Sequence, residues 1–324
     1  MSEQIENGTK TFNMDWFLPA LKNMAVPMIG ILLFLGVWQV GAPKIETSLG
    51  AVPGPTQVFQ QFLGLIDEHQ EARAKADAFI ERQEVRNAAK LEKDPNAVVK
   101  IRPCTGKASF FDQILTSLFT VITGFVIASL IAIPIGIVAG LSQTVYSAIN
   151  PLIQIFKPVS PLAWLPIVTI IVSAVYVSDN PMFEKAFVTS AITVMLCCLW
   201  PTLINTVVGV ANISQDLQNV SKVLRLSWWT HVVKIVLPSA IPMIFTGLRL
   251  SFGIAWMVLI AAEMLAQNPG LGKFVWDEFQ NGSSNSLGRI MVAVIVIGVL
   301  GYLLDRGMLV IQKYASWDKT QALR

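Results

Sequence analysis

Long intervals without charged residues divide the chain into segments of membrane length. A bilayer core of about 30 Å needs about 20 apolar residues in a helix, and segments of this kind are typical of transmembrane helices. The pattern therefore predicts an all-α integral membrane protein of about six transmembrane helices. The predicted spans are 23–43, 113 to about 141, 150–176, a helix within 186–210, 241–265 and 290–304.

The first span is predicted to be a retained anchor. Its leader contains Glu3, Glu6 and Asp15, whereas a cleaved signal peptide has a brief basic end before a shorter apolar core. We therefore expect a cytoplasmic tail at 1–22 and an anchor at 23–43.

The uncharged interval after Gln113 is long enough for more than one helix. The polar turn Ser142-Gln143-Thr144 predicts that one helix ends near Leu141 and that another begins there. Gly136 and Gly140 form a small-xxx-small pair, a weak signal for close approach of a neighbouring helix.

Four prolines interrupt the third span. Each proline removes a backbone donor, so the run Asn150–Tyr176 is expected to be bent or broken. Irregular backbone at membrane depth is tolerated where protein or water satisfies it. We therefore expect this span to lie toward the interior of the bundle. The prolines are Pro151, Pro158, Pro161 and Pro166.

The charge content excludes several classes of protein. Charged residues make up 14% of the chain, against about 25% in soluble domains, and 19 of the 45 lie between Lys44 and Lys107. A net charge of +3 without a basic stripe provides no face for nucleic acid. A soluble enzyme, a disordered chain and a nucleic-acid binder are therefore excluded.

The charged residues concentrate in one extramembrane insertion, assigned to 44–112 and expected on the periplasmic side. Its stretch Asp67–Lys93 alternates charges with alanine and predicts a solvated helix, supported by pairs such as Glu71 with Lys75. We expect a spacer or docking surface there rather than a catalytic role.

The basic residues of the short loops predict that both termini are cytoplasmic. With that orientation nine Lys or Arg residues lie inside and three outside, and long loops such as the insertion are largely exempt from the rule. The outside three are Lys185, Lys273 and Arg289.

Catalytic and metal-binding patterns are absent from the sequence. The two histidines, His69 and His231, are far apart in the predicted topology, and the cysteines Cys104, Cys197 and Cys198 have no metal-ligand spacing. The run Gly270–Phe274 has the wrong spacing for a phosphate loop. We therefore predict a protein that is not an enzyme and binds neither cofactor nor metal.

The segment between the fourth and fifth spans is predicted to contact a partner. It is amphipathic, contains the pair Trp228-Trp229, and reaches Pro238, which is expected to stop a helix before the next span. Exposed apolar and Trp residues on a short projection suit insertion into a partner's groove. We assign 211–240 as a cytoplasmic coupling loop.

This segment resembles the inner loop of the permeases of binding-protein-dependent ABC importers. The family pattern is Glu-Ala-Ala, three residues, Gly, nine residues and Ile-x-Leu-Pro. Ile235–Pro238 matches its end, while Asn219-Val220-Ser221 and Arg225 stand at the Glu-Ala-Ala and Gly positions. The coupling residues that the resemblance implies are Asn219, Val220, Ser221, Leu224, Arg225, Leu226, Ile235, Leu237 and Pro238.

Further motifs are similar to the nitrate and bicarbonate branch of these permeases. They include Asn219–Ser227, Asn150–Gln154, Pro161–Pro166, and Thr246–Arg249 with Ala261–Leu265. The resemblance extends over about Ser117–Arg306, and the stretch 67–107 lies outside it.

The resemblance implies a MetI-like ABC permease fold over 113–310, followed by a cytoplasmic tail at 311–324. It also implies a complex in a bacterial inner membrane, with two permease copies, two ATPase subunits and a periplasmic or lipid-anchored solute-binding protein. ATP and Mg²⁺ would then bind to the ATPases. The expected solute is a small anion, nitrate first, with nitrite and cyanate close to it; bicarbonate, or sulfonate and taurine, are the alternatives.

Four residues are candidates for the translocation path. Lys157 and Arg249 are cations near apolar runs and either attract the anion or brace the inner interface. Trp164 and Trp256 either line the path or pack. Glu263 is expected to pair or to cap a helix. A membrane enzyme and a scaffold or sensor remain as alternative functions.

Overall fold

The computed structural model of the chain is almost entirely helical. It describes residues 17–315 except 48–49, 95–98, 100, 101, 103, 105, 107, 178–181 and 284. Most of both predicted cytoplasmic tails lies outside the described residues. The elements are α1 (Phe17–Gly41), a 3₁₀ turn (Ala42–Lys44), β1 (Glu46–Thr47), β2 (Gly50–Ala51), α2 (Pro55–Lys93), α3 (Phe110–Leu141), α4 (Gln143–Phe156), α5 (Pro161–Val175), α6 (Lys185–Ala211), α7 (Gln215–Val223), α8 (Trp228–His231), a π turn (Val232–Val236), α9 (Leu237–Ala266), α10 (Leu271–Asn281) and α11 (Ser286–Ala315).

The described residues contain five helices that are long and apolar enough to cross a membrane. The bent pair α4 and α5 makes six if it counts as one span. The prediction of about six transmembrane helices is therefore confirmed. Several helices are longer than the predicted spans, because α1 begins at Phe17, α9 begins at Leu237, and α11 continues to Ala315, beyond the expected boundary at 310.

The break between α3 and α4 lies where the polar turn predicts it. The Ser142 side chain accepts a hydrogen bond from the backbone N–H of Val145, which makes Ser142 the N-cap of α4. At the other end of α3, Ser109 and Asp112 form a capping box, so this helix has a defined start.

The proline-rich third span is broken as predicted, with an angle of 101° between α4 and α5. Ser160 caps α5, and Pro161 occupies its first turn, where a missing N–H costs nothing. The expectation that this span lies in the interior is wrong for a single chain. One face of α5 is buried through Leu165, Val168 and Val172, while the opposite face, including Ile170, is exposed.

The core of the bundle is formed by α3, α6 and α9. Gly136 and Gly140 of α3 face α6, where an added Cβ would lie 2.6 Å from the Cβ of Thr206 and of Val210 respectively. The predicted close approach at this glycine pair is confirmed, and α6 is its partner.

The charged insertion forms one long helix, α2. It begins at Pro55, earlier than the predicted Asp67, because Val58 and Leu65 pack into the membrane core cluster. The predicted pair is present, with Lys75 Nζ 3.2 Å from a Glu71 carboxylate oxygen. Polar contacts of α2 join it to the amino-terminal ends of α3 and α11: Gln61 with Asn285, Glu68 with Arg289, His69 with Ser109 and Arg73 with Asp112.

The helix that precedes the fifth span does not stop at Pro238, so that prediction is wrong. α8, the π turn and α9 form a continuous helical run from Trp228 to Ala266. The N–H of Leu237 bonds to the carbonyl of Val232, a wider turn immediately before the proline. Pro238 then sits in the first turn of α9, where it needs no N–H partner.

Candidate functional site

A short helix and turn between α6 and α9 form the coupling element, which we define as residues 214–229. It presents apolar side chains that no other described residue covers: Val223 at the end of α7 is 80% exposed, Leu224 after it 62%, and Trp229 of α8 67%. Exposing such residues to water does not stabilise the fold. Grouped exposed apolar residues are typical of surfaces that contact another protein.

The turn that ends α7 has the hydrogen bonds of a Schellman motif. The N–H of Leu226 bonds to the carbonyl of Ser221 at 3.1 Å, and the N–H of Arg225 bonds to that of Lys222 at 3.2 Å. Arg225 has a φ of +46°, in the left-handed region that this position requires. Glycine is usual here because it has no Cβ, which explains the glycine of the family pattern.

The coupling residues predicted from the sequence divide into an exposed and a buried group. Asn219, Val220, Leu224 and Arg225 are exposed, whereas Ser221 is buried and Leu226 is half-buried against the core.

The second half of the predicted loop packs partly against the bundle. Ile235 is buried in a core cluster with Val210 and Ala240, Leu237 is half-buried against it, and Pro238 is exposed in the first turn of α9. Ile235 and Leu237 thus join the coupling element to the bundle, and their assignment as coupling residues stays a prediction.

The candidate path residues lie in two separate places. Lys157 is exposed in the turn between α4 and α5, and Trp164 lies near the ring of Phe156, which itself stacks on Trp200. Within the described part of the chain, neither Lys157 nor Trp164 makes a hydrogen bond, ion pair or ring contact with Arg249 or Trp256.

Arg249 and Trp256 both face α11. The guanidinium of Arg249 donates to both carboxylate oxygens of Asp305, at 2.5 and 2.8 Å, and the indole N–H of Trp256 donates to the carbonyl of Ile297 at 3.1 Å. Both side chains are thus engaged in holding α9 to α11.

Sequence reasoning assigned Glu263 to pairing or capping without finding its partners. Glu263 is fully buried, and its carboxylate accepts bonds from the Ser117 hydroxyl at 2.8 and 2.9 Å and from the N–H of Gly272 at 2.9 Å. The Ser117 hydroxyl also accepts a bond from the N–H of Leu271 at 2.9 Å. We call Glu263, Ser117 and the first turn of α10 the Glu263 cluster.

The Glu263 cluster also explains why residue 270 is a glycine. A Cβ added to Gly270 would lie 2.3 Å from the Glu263 carboxyl group. Spacing alone did not indicate this cluster, since Ser117 and Glu263 are 146 residues apart.

Among the described residues, no group of three His, Cys, Asp or Glu side chains is placed to hold a metal ion. The candidate site consists of an exposed apolar surface and two polar clusters that hold helices together, one at Arg249 and Asp305 and one at Glu263 and Ser117.

Comparison with known proteins agrees with this arrangement. Residues 132–314 match the family model described as a binding-protein-dependent transport system inner membrane component. The bicarbonate transport system permease protein CmpB of Synechococcus elongatus is 33% identical over 96% of both chains. The nitrate import permease protein NrtB of Synechocystis is 38% identical over 60% of this chain and 66% of its own.

The likeness to CmpB corrects one expectation. An alignment over 96% of this chain extends through the insertion, which the sequence motifs left outside the resemblance.

The solved structures give the fold. A chain of the MetNI methionine ABC transporter, in an inward-facing conformation, superimposes with a TM-score of 0.54 at 13% identity, covering 63% of this chain and 95% of that one. The predicted MetI-like fold and the predicted resemblance are thereby confirmed. This chain belongs to the inner membrane components of binding-protein-dependent transport systems, and it is an ABC transporter permease, a transport subunit rather than an enzyme.

Proposed function

We propose that this permease moves a small inorganic oxyanion inward across the inner membrane, driven by ATP hydrolysis on separate subunits. The observation that carries the proposal is the coupling element: Val223, Leu224 and Trp229 present a mostly exposed apolar surface on a rigid turn between two membrane helices. Such a surface fits a groove on a partner that changes shape with nucleotide.

The proposed assembly has two copies of this chain, two ATPase subunits and a solute-binding protein. ATP and Mg²⁺ bind on the ATPases. The exposed face of α5, with Ile167 and Ile170, is available for the second copy or for lipid. The excess of basic residues in the short inner loops supports cytoplasmic termini and a periplasmic insertion.

Nitrate is the first candidate solute, in keeping with the branch motifs and the NrtB relatives. Bicarbonate is the second candidate, favoured by the likeness to CmpB, which covers the insertion as well as the bundle. Both are small, singly charged oxyanions, so one path serves either. Taurine is a more distant candidate, since the taurine permease TauC of Escherichia coli is 29% identical over 64% of this chain.

The coupling assignment is tested by replacing Val223 and Leu224 with Asp. We expect ATP hydrolysis stimulated by the loaded binding protein to fall to the basal rate, because the partner's groove would have to bury two carboxylates. Leu226 is left intact because it packs against the core. Val85→Asp, an equally exposed apolar site on α2, is the matched control, and unchanged stimulation in the double variant would remove the assignment.

The solute is tested by uptake into vesicles that contain the reconstituted importer. Labelled nitrate or bicarbonate is offered with an excess of unlabelled nitrate, bicarbonate or taurine. Transport and competition by nitrate alone would establish the first candidate, and the reverse pattern the second. Uptake of neither anion would contradict the proposed solute class.

A further inference from the structure

The carboxyl-terminal half of α2 borders a cleft whose charged lining residues are all cations. The cleft has a volume of about 570 Å³. Arg82, Arg86 and Lys90 line it at intervals of four residues, which places them on one side of the helix. Arg102, from the segment that follows α2, completes the lining. We call this surface the basic cleft.

A buried glutamine holds the two walls of the basic cleft together. The side-chain amide of Gln83 donates to the carbonyl of Arg102 at 2.9 Å, and its oxygen accepts from the N–H of Arg102 at 2.9 Å. Gln83 is 9% exposed, on a helix that is otherwise mostly solvated. The position of Arg102 is therefore set by a paired hydrogen bond, and the cleft is a formed feature of this helix.

The acidic residues of this part of α2 lie on the opposite side. At about 100° per residue, Asp77, Glu81, Glu84 and Glu92 fall on the face away from Arg86, and all four are exposed. Every ion pair within 4 Å among the described residues involves side chains other than the four cations. Asp94 follows the helix, four residues after Lys90. The lining itself contains four cations and neither Asp nor Glu, so it carries a net positive charge.

The basic cleft extends beyond the bundle. Within the described residues, the hydrogen bonds of α2 to the membrane helices end at Arg73, which pairs with Asp112 at the start of α3. The 20 residues from there to Lys93 extend over about 30 Å at 1.5 Å per residue. A partner can thus reach the cleft without contacting the transmembrane helices.

We propose that the basic cleft is a docking site for an acidic surface of the solute-binding protein. This inference rests on the proposed function, which places the insertion on the periplasmic side where that protein delivers its solute. Guanidinium groups bind carboxylates in pairs of parallel hydrogen bonds, and the cleft is large enough for several carboxylate side chains at once. The family to which the chain belongs depends on a binding protein, so such a partner must approach this side.

The distribution of apolar residues favours a protein over a membrane surface. Helices that lie on anionic membranes carry apolar anchors beside their cations. Here the exposed Ile80, Val85 and Leu91 lie at least about 100° around the helix from Arg86, on the side that also carries the acids. An anionic membrane that bound these apolar side chains would also face the carboxylates on that side of α2, which it would repel.

Charges at the rim of an interface act mainly on the rate of encounter. The basic cleft would steer the binding protein toward the permease and would contribute little once the two have docked over the translocation path. The expected signature is a salt-dependent association rate with an unchanged maximal rate of ATP hydrolysis.

The test compares two double charge reversals in the reconstituted importer. Arg86→Glu with Lys90→Glu changes the cleft, while Lys44→Glu with Lys75→Glu changes the net charge equally at exposed residues outside its lining. We expect the cleft variant to slow association of the purified binding protein about tenfold at low salt. The difference should vanish near 1 M salt, where the screening length is about 3 Å, and stimulated ATP hydrolysis at saturating binding protein should stay at the wild-type value.

Two results would overturn the inference. One is an association rate in the cleft variant equal to that of the control. The other is a defect that appears in vesicles with phosphatidylglycerol and is absent in phosphatidylcholine alone, since the membrane would then be the occupant. Failure of the proposed function is distinguishable, because the wild-type importer itself would then show no stimulation by the binding protein.

Discussion

At the scale of single residues, Arg225 shows how a departure from the family pattern is accommodated. The residue keeps the left-handed backbone that glycine adopts freely, with φ at +46°, and the Schellman hydrogen bonds of the turn are retained. In the sequence, Arg225 differs from the glycine that the family pattern has at this position. In the structure, Arg225 adopts the left-handed conformation that the turn requires, at a conformational cost of about 1 kcal/mol relative to glycine.

We expect Arg225→Gly to leave the turn intact and Arg225→Val to disrupt it. A β-branched residue at positive φ is strongly disfavoured, whereas glycine relieves the strain of the L-residue. Stimulated ATP hydrolysis and thermal stability of the purified complex should be preserved in the glycine variant and reduced in the valine variant. Equal behaviour of the two variants would contradict the importance of this backbone conformation.

The pair Arg249 and Asp305 bears on the role of a cation in a membrane helix. The sequence left open whether Arg249 meets the solute or braces the structure, because its partner is 56 residues away. The two hydrogen bonds to Asp305 support the bracing role, since both carboxylate oxygens are engaged.

We expect Arg249→Ala to destabilise the permease by about 2 kcal/mol, the range for hydrogen bonds to charged groups. The double change Arg249→Ala with Asp305→Ala should recover much of the loss, because no unpaired charge is left at membrane depth. Thermal unfolding of the four proteins of this cycle measures the coupling. A raised KM for transport with normal assembly would instead favour contact with the solute.

At the scale of elements, helix boundaries were predictable where a residue forces them. Ser142 indicated the boundary between α3 and α4, and the prolines indicated a break in the third span, because capping and the missing N–H act locally. The prolines did not fix the helix ends, since Pro151 lies inside α4 and Pro166 inside α5. The prediction that a helix stops at Pro238 was wrong. A π turn precedes this proline, which lies in the first turn of α9, so the helical run continues through it. The burial of Ile235 and the partners of Glu263 depend on contacts between distant elements, which no local pattern contains.

The contact between α3 and α6 should be sensitive to a single methyl group. Gly140→Ala places a Cβ 2.6 Å from that of Val210, so we expect a loss of about 1–3 kcal/mol from overpacking and less folded protein in the membrane. Gly298→Ala on α11 meets nothing in this chain within 4 Å and serves as the control. Detergent-extracted protein eluting as a single folded species measures both, and an undiminished yield for Gly140→Ala would show that the helices can separate.

At the scale of the whole molecule, a single chain leaves three surfaces of its described part without a contact partner. The coupling element, the outer face of α5 and the basic cleft each present a surface that finds no counterpart within the described residues. The fold class and the need for partners were predictable because hydropathy and exposed apolar residues are properties of the sequence. Which face meets which partner depends on how the helices pack.

The proposed orientation predicts the side from which two positions can be labelled. Cys104 is exposed in the insertion, so a membrane-impermeant maleimide should modify it in intact spheroplasts. Lys313→Cys, exposed near the end of α11, should react only after permeabilisation. The reverse pattern would invert the topology, and Cys104→Ser identifies the labelled site.

The helical run from Trp228 to Ala266 connects the two ends of the permease directly. Its 39 residues extend over about 58 Å at 1.5 Å per residue, with the Trp228-Trp229 pair at one end and the Glu263 carboxylate near the other. No flexible linker lies between them, so a tilt imposed by the ATPase at the tryptophans would displace the carboxylate and the start of α10 in the same stroke. We therefore expect the two ends of the run to move together, with the π turn and Pro242 inside α9 as places where the run can bend.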